Sequence, residues 1–131
     1  MPGLRLYKSE KLCSKIEIEK LYARGTSIIA YPLRAVWLAV PCDGGGNNRP
    51  VAARFLISIP KKRIRHAVDR VLLRRRTREA YRLNRHLLEG VLQEGKTLLI
   101  GFNWLANHEC DYTTIERSMH ELLCKITSGT T

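Results

Sequence analysis

Apolar residues recur along this chain with two different periods, and the points where the period changes mark its elements. From Ser9 to Arg24, Leu12, Ile16, Leu21 and Tyr22 fall near helical spacing, and Gly25 stands where a helix C-cap belongs. Ile28 to Val40 is rich in β-branched and aromatic residues, which predicts one long strand or the same strand divided in two. Asp43-Gly44-Gly45-Gly46-Asn47-Asn48 suits neither helix nor strand and reads as a flexible loop. Val51 to Ile59 is the next strand: Phe55, Ile57 and Ile59 alternate with Arg54, Leu56 and Ser58, and Pro60 ends it. A long helix then runs through a basic segment to about Arg85 and past a bend at Leu87-Leu88. Gly95 stops that region, and Thr97 to Trp104 forms a compact apolar strand. Asp111 and Thr113 are N-cap candidates, with capping-box spacing from Thr113 to Glu116. The last helix presents Ile115, Met119, Leu122, Leu123 and Ile126 as one apolar stripe.

The order α-β-β-α-β-α predicts an α+β fold, a sandwich of helices against a small sheet. At 131 residues and 44% hydrophobic composition the chain has enough material for one core and too little for two, so residues 1–131 are expected to form a single domain. The longest apolar run, Tyr31 to Pro41, is interrupted by Pro32 and Arg34 and cannot span a bilayer. Met1-Pro2-Gly3-Leu4-Arg5 lacks the apolar core of a signal peptide. Cys13, Cys42, Cys110 and Cys124 are scattered without a C-x-x-C pair, which fits reduced cysteines in a cytoplasmic protein.

Charge changes the picture. The chain carries a formal net charge of +11, and residues 61–85 hold eleven Lys or Arg against only Asp69 and Glu79. Nearly all the excess is therefore placed on one segment, and a field so concentrated points to a polyanion, with nucleic acid first. On a helical wheel Arg70, Arg74, Arg78 and Arg82 are spaced by four and form a row flanked by Arg75 and Arg85. Leu72, Leu73, Ala80, Leu83 and Leu87 gather on the other side, which is expected to lie on the sheet. A merely solvated face normally mixes signs, because like charges at i,i+4 repel. Arginine also dominates over lysine here, and its planar fork suits phosphate.

Other chemistry is thin. His108-x-Cys110 lacks a second ligand pair, and His66, His86 and His120 are isolated. No P-loop, nucleophile elbow or paired-carboxylate arrangement is evident, so no catalytic residue is assigned to the chain.

The basic segment resembles the protein subunit of bacterial ribonuclease P. That family carries a strand ending in a Ser-Lys-Lys or Ser-Lys-Arg run, then a helix approximating A-V-x-R-N-R-x-K-R-x-x-R-E-A-[FY]. The corresponding strand here is Phe55 to Lys62, and the helix matches at Ala67, Val68, Arg70, Arg74, Arg75, Arg78, Glu79, Ala80 and Tyr81. The family's Asn-Arg pair is replaced by Val71-Leu72, and Arg76 falls where the family usually has an apolar residue. The first helix ending in Glu19-Lys20-Leu21-Tyr22-Ala23-Arg24-Gly25, the late strand and the closing helix occur in the family's order.

The resemblance implies a ribosomal-protein-like two-layer sandwich with a mixed sheet and a left-handed βαβ crossover. It implies an endoribonuclease complex maturing the 5′ end of tRNA, in which the RNA subunit catalyses with Mg²⁺ held mainly by RNA. The partners implied are ribonuclease P RNA and precursor tRNA. RNA-binding residues carried over are Lys61, Lys62, Arg63, Arg65, Arg70, Arg74, Arg75, Arg78 and Arg82. A cleft for the 5′ leader carries over to Ile18, Tyr22, and Trp37 or its neighbour Val36, depending on register. Two other readings stand beside it: a structural or ribosomal-type RNA-binding protein, and a DNA-binding regulator. The DNA reading has few Asn or Gln to read bases and no dimerising segment.

Overall fold

A computed structural model of the chain describes residues 15–41, 53–88 and 96–129. Helix α1 (Lys15–Arg24) leads into strand β1 (Thr26–Ala30) and strand β2 (Leu33–Pro41). Strand β3 (Ala53–Ser58) precedes helix α2 (Ala67–Asn84), which ends in a 3₁₀ turn at Arg85–Leu88. Strand β4 (Lys96–Trp104) and helix α3 (Tyr112–Gly129) complete the fold. The first part of the expected opening helix, residues 9–14, and the glycine-rich loop lie outside the described residues.

The long first strand is divided. Tyr31-Pro32, joined by a cis peptide bond, occupies the turn, and β1 and β2 pair back on each other from Thr26↔Trp37 to Ala30↔Leu33. The sheet order is β1-β2-β4-β3, antiparallel except for the parallel pair β3 and β4. A parallel pair needs a crossover, and α2 supplies it.

Gly25 makes the first corner. Its N–H donates to the Leu21 carbonyl at 2.7 Å, closing α1. A Cβ there would collide with that same carbonyl oxygen and stand 2.6 Å from Val36 Cγ1, so glycine alone fits between helix end and sheet.

The core lies between the sheet and the pair α2–α3. Ala35, Phe55, Leu98, Ile100 and Phe102 from the strands meet Leu73, Ala80 and Tyr81 of α2 and the expected stripe of α3, all buried. Tyr81 stacks on Phe55 with ring centroids 4.3 Å apart and tilts against Phe102 at 5.7 Å. Aromatic pairs of this kind contribute about 0.5–1.5 kcal/mol each beyond simple burial. The sheet's second face is covered in part by α1, through Leu21 against Val36 and Leu99.

Two local expectations change. The α2 face on the core is Leu73, Thr77, Ala80, Tyr81 and Asn84, whereas Leu83 is exposed and Leu72 half-buried. Thr77 and Asn84 fit there because each donates to a carbonyl one turn back, Leu73 at 2.7 Å and Ala80 at 2.8 Å. At α3 the cap is Asp111, whose Oδ1 accepts from Thr114 N at 3.0 Å; Thr113 already lies within the helix. Hydrogen bonding from the Thr114 side chain, and then from its backbone N–H, holds the Asp111 carboxyl below the usual carboxylate range.

Candidate nucleic-acid interface

The basic segment divides into a turn and a helix. Lys61, Lys62 and Arg65 are exposed in the turn before α2, while Arg63 donates to Asn107 Oδ1 at 3.2 Å. Backbone bonds from Arg63 N and Ile64 N to the Pro60 carbonyl shape this turn, and Ile64 is buried beneath it. The proline that ends β3 thus also folds the cations into one cluster.

Along α2 the row of four arginines does not present a single face. Residues spaced by four advance about 40° around a helix at each step, so such a row winds. Its first member, Arg70, sits near the core edge and turns back, donating from Nη1 to the Ile64 and Arg65 carbonyls, both at 3.0 Å. Its last member, Arg82, is engaged by Glu79 through Nε at 3.0 Å and through Nη2. That pair lowers the Glu79 carboxyl and raises the Arg82 guanidinium. Arg76 is turned away as well, donating to the Cys110 carbonyl at 2.7 Å. Within residues 61–85, the exposed cations with no hydrogen bond or salt bridge to the described residues are Arg74, Arg75 and Arg78, with Lys61, Lys62 and Arg65 of the turn. Val68 and Val71 lie beside them, 79% and 51% exposed, so an apolar patch interrupts the basic face.

The second candidate region flanks α1. Strand parity settles the register there: Leu33, Ala35 and Trp37 of β2 face α2 and α3, and Val36 faces α1. Trp37 is therefore removed from the cleft, since neighbouring strand residues point to opposite faces. Val36 is buried under Leu21, and Ile18 packs at the edge of the same cluster. Tyr22 is 42% exposed and donates from its hydroxyl to Asn103 Oδ1 at 3.0 Å. Burial pushes its phenol up, against the opposing effects of Asn103 and the nearby Arg34. The ring can lie there because Gly101 has no side chain; a Cβ at that position would stand 2.6 Å from the Tyr22 hydroxyl. Opposite, Arg54 Nη1 meets Glu17 Oε1 at 3.2 Å and ties α1 to β3.

A profile of the family described as Ribonuclease P matches residues 6–127. The chain belongs to the ribonuclease P protein family. The ribonuclease P protein component of Porphyromonas gingivalis is 39% identical over 126 residues, covering 95% of this chain and 88% of that one. A second sequence of that name, from another strain of the same organism, is 39% identical over 122 residues. In fold the chain is similar to the RNase P protein of Staphylococcus aureus, with a TM-score of 0.63 at 20% identity, covering 95% of this chain and all of that one. The RNase P protein of Thermotoga maritima gives a TM-score of 0.60 at 19% identity, covering 88% and 96%.

Within the ribonuclease P protein fold, the sequence reading missed Arg34, Arg54 and Asn103. Arg34 is the lone charged residue of the apolar strand β2, an interruption visible in the sequence, whereas Arg54 and Asn103 share their strands with other polar residues. Among the described residues no helix is long and apolar enough to cross a membrane, and no three His, Cys, Asp or Glu side chains converge as a metal site.

Proposed function

We propose that the chain is the protein subunit of ribonuclease P, acting in the cytoplasm on precursor tRNA. In this reading the exposed cations of α2 and of the preceding turn dock on ribonuclease P RNA. The groove flanking α1, with Tyr22 as its aromatic surface, receives the unpaired 5′ leader. Hydrolysis of the phosphodiester belongs to the RNA with its Mg²⁺, and the protein supplies affinity and position. The carrying observation is the family match from residue 6 to 127, joined to a cluster of cations without acidic partners on the face that such a subunit would need.

Each part of the protein has a physical task in this scheme. Arg74, Arg75 and Arg78 neutralise phosphates and release counterions, which gives affinity without sequence preference. The ties of Arg70 and Arg76 hold α2 to its turn and to the loop before α3, so the free guanidinium groups keep a fixed spacing. The test is reconstitution: the protein is added to a bacterial ribonuclease P RNA at low Mg²⁺ and cleavage of a precursor tRNA is measured. Stimulation over RNA alone is expected. RNA binding without stimulation would place the chain with structural RNA-binding proteins instead.

A further inference from the structure

Helix α3 carries a pair of metal-ligating side chains that RNA binding leaves unused. His120, isolated in the sequence, lies one helical turn before Cys124, and the fold sets Cys124 Sγ 3.7 Å from His120 Nε2. Residues four apart share one side of a helix. Both belong to the exposed side of α3, while Ile115, Met119, Leu122, Leu123 and Ile126 take the buried one. The pair opens into a groove of about 560 Å³, lined among the described residues by Thr113, Glu116, Arg117, His120, Glu121 and Cys124, all of α3. The groove is therefore open to an entering ion and its waters, and it shares no residue with the basic segment or with α1.

The separation decides what the pair fits. Tetrahedral zinc holds a thiolate sulfur at about 2.3 Å and an imidazole nitrogen at about 2.0–2.1 Å. Two such bonds at the tetrahedral angle put sulfur and nitrogen about 3.6 Å apart, so Sγ and Nε2 already stand at the bite of a single ion. The thiol donates to Nε2, which leaves the ring proton on Nδ1; in that tautomer Nε2 has the lone pair a metal needs. A reactive thiolate needs positive surroundings, and this groove lines its thiol with two carboxylates against the one guanidinium of Arg117. Lys125 pairs with Glu121 at 3.6 Å but reaches over to the Ile29 carbonyl at 3.4 Å and does not line the groove.

His108 and Cys110 make a poorer pair. They stand 4.0 Å apart, and His108 Nδ1, the nitrogen that faces the thiol, also lies 3.1 Å from the Glu109 carbonyl. Burial pushes the Cys110 thiol up, away from the thiolate that a metal requires.

We propose that His120 and Cys124 chelate one zinc-class ion, a borderline-soft divalent cation that takes sulfur and nitrogen. On binding, the Cys124 thiol gives its proton to the buffer, and the thiolate sulfur and Nε2 each donate an electron pair to the metal, with water in the two remaining positions. Mg²⁺ prefers oxygen ligands and does not compete. The chelate ties the turn from His120 to Cys124, and because only the folded chain holds the two groups at this spacing, the ion stabilises it. The site is independent of the ribonuclease P reading.

The experiment uses the full chain with Cys13, Cys42 and Cys110 replaced by Ser, so that Cys124 is its one thiol, under a phosphine reductant. Co²⁺ serves as the spectroscopic stand-in for Zn²⁺. One equivalent of Co²⁺ should produce the near-ultraviolet sulfur-to-cobalt absorption, which Zn²⁺ removes and a large excess of Mg²⁺ leaves in place. His120→Ala should weaken Co²⁺ binding about tenfold or more, and Cys124→Ser should abolish the absorption, both with circular dichroism unchanged. In the otherwise native chain Zn²⁺ should raise Tm, and raise it less in His120→Ala and in Cys124→Ser, a comparison that stands even where the triple-serine chain does not fold. No absorption from a folded chain, binding indifferent to His120→Ala, or an equal rise of Tm in all three proteins overturns the proposal.

Discussion

Arg76 lies in the middle of the basic helix, yet its Nη1 donates to the carbonyl of Cys110, 34 residues later, at 2.7 Å. The bond joins α2 to the loop whose next residue, Asp111, caps α3. Arg76 is thus an internal tie in a segment that otherwise reads as uniform charge. Replacement by Met, which keeps the stem and loses the donor, should lower stability by about 1–2 kcal/mol in urea denaturation. The slope of RNA affinity against salt should stay as in wild type. A flatter slope with unchanged stability would instead place Arg76 among the RNA-facing residues.

Arg74, Arg75 and Arg78 are expected to behave in the opposite way. Each replacement by Gln should weaken binding to ribonuclease P RNA and reduce the salt slope by about one unit. Arg82→Gln should change the slope less, because Glu79 already offsets part of that charge. Binding measured over a series of salt concentrations separates the two classes. Four equal slopes would mean that the Glu79 pair opens in the complex.

Val71 and Leu72 stand where the family has Asn and Arg, and the structure leaves Val71 half exposed beside the free arginines. Val71→Asn combined with Leu72→Arg adds a cation and removes an exposed apolar side chain. RNA affinity should rise or stay equal in a filter-binding titration. Weaker binding would mean that the apolar patch of Val68 and Val71 itself touches the RNA.

The Asp111 cap carries a pH signature. Its carboxyl is held below the usual range by its bonds to Thr114, so the folded state binds this proton less readily than the unfolded chain. The stability it contributes is therefore fully present above the ordinary carboxylate pKa of about 3.9 and is lost as pH falls through the lowered folded value. Asp111→Asn keeps a good cap without the titration. The difference in Tm between wild type and this variant should be flat above about pH 5 and should shift in favour of the variant near pH 3. A constant difference across that range would show that the cap does not depend on charge.

Much of the fold follows from local chemistry. Alternation in Val51–Ile59, the apolar run at Thr97–Trp104 and the stripe from Ile115 to Ile126 each mark an element that the structure contains. Gly25 reads as a cap from sequence, and the crowding by Leu21 and Val36 gives the reason. The α2 wheel was harder to read, because Leu83 and Val71 are as apolar as Leu73 while Thr77 and Asn84 are polar. Burial there went to the residues whose side chains could bond a carbonyl of their own helix and still fit under the sheet. The last turn of α3, by contrast, needed only its period.

By itself the sequence determined the order of elements, the concentration of positive charge at residues 61–85 and the family pattern, all properties of near neighbours in the chain. Only tertiary structure decided which arginines remain available. Arg70, Arg76 and Arg82 differ from Arg74, Arg75 and Arg78 in what lies within reach of their guanidinium groups: turn carbonyls, the Cys110 carbonyl and Glu79. A row of Ile29, Arg34, Asn103 and Ser58 across the sheet is likewise a product of strand pairing. Its members come from four strands spread over 75 residues of chain, and the hydrogen-bonded register of the sheet sets them side by side.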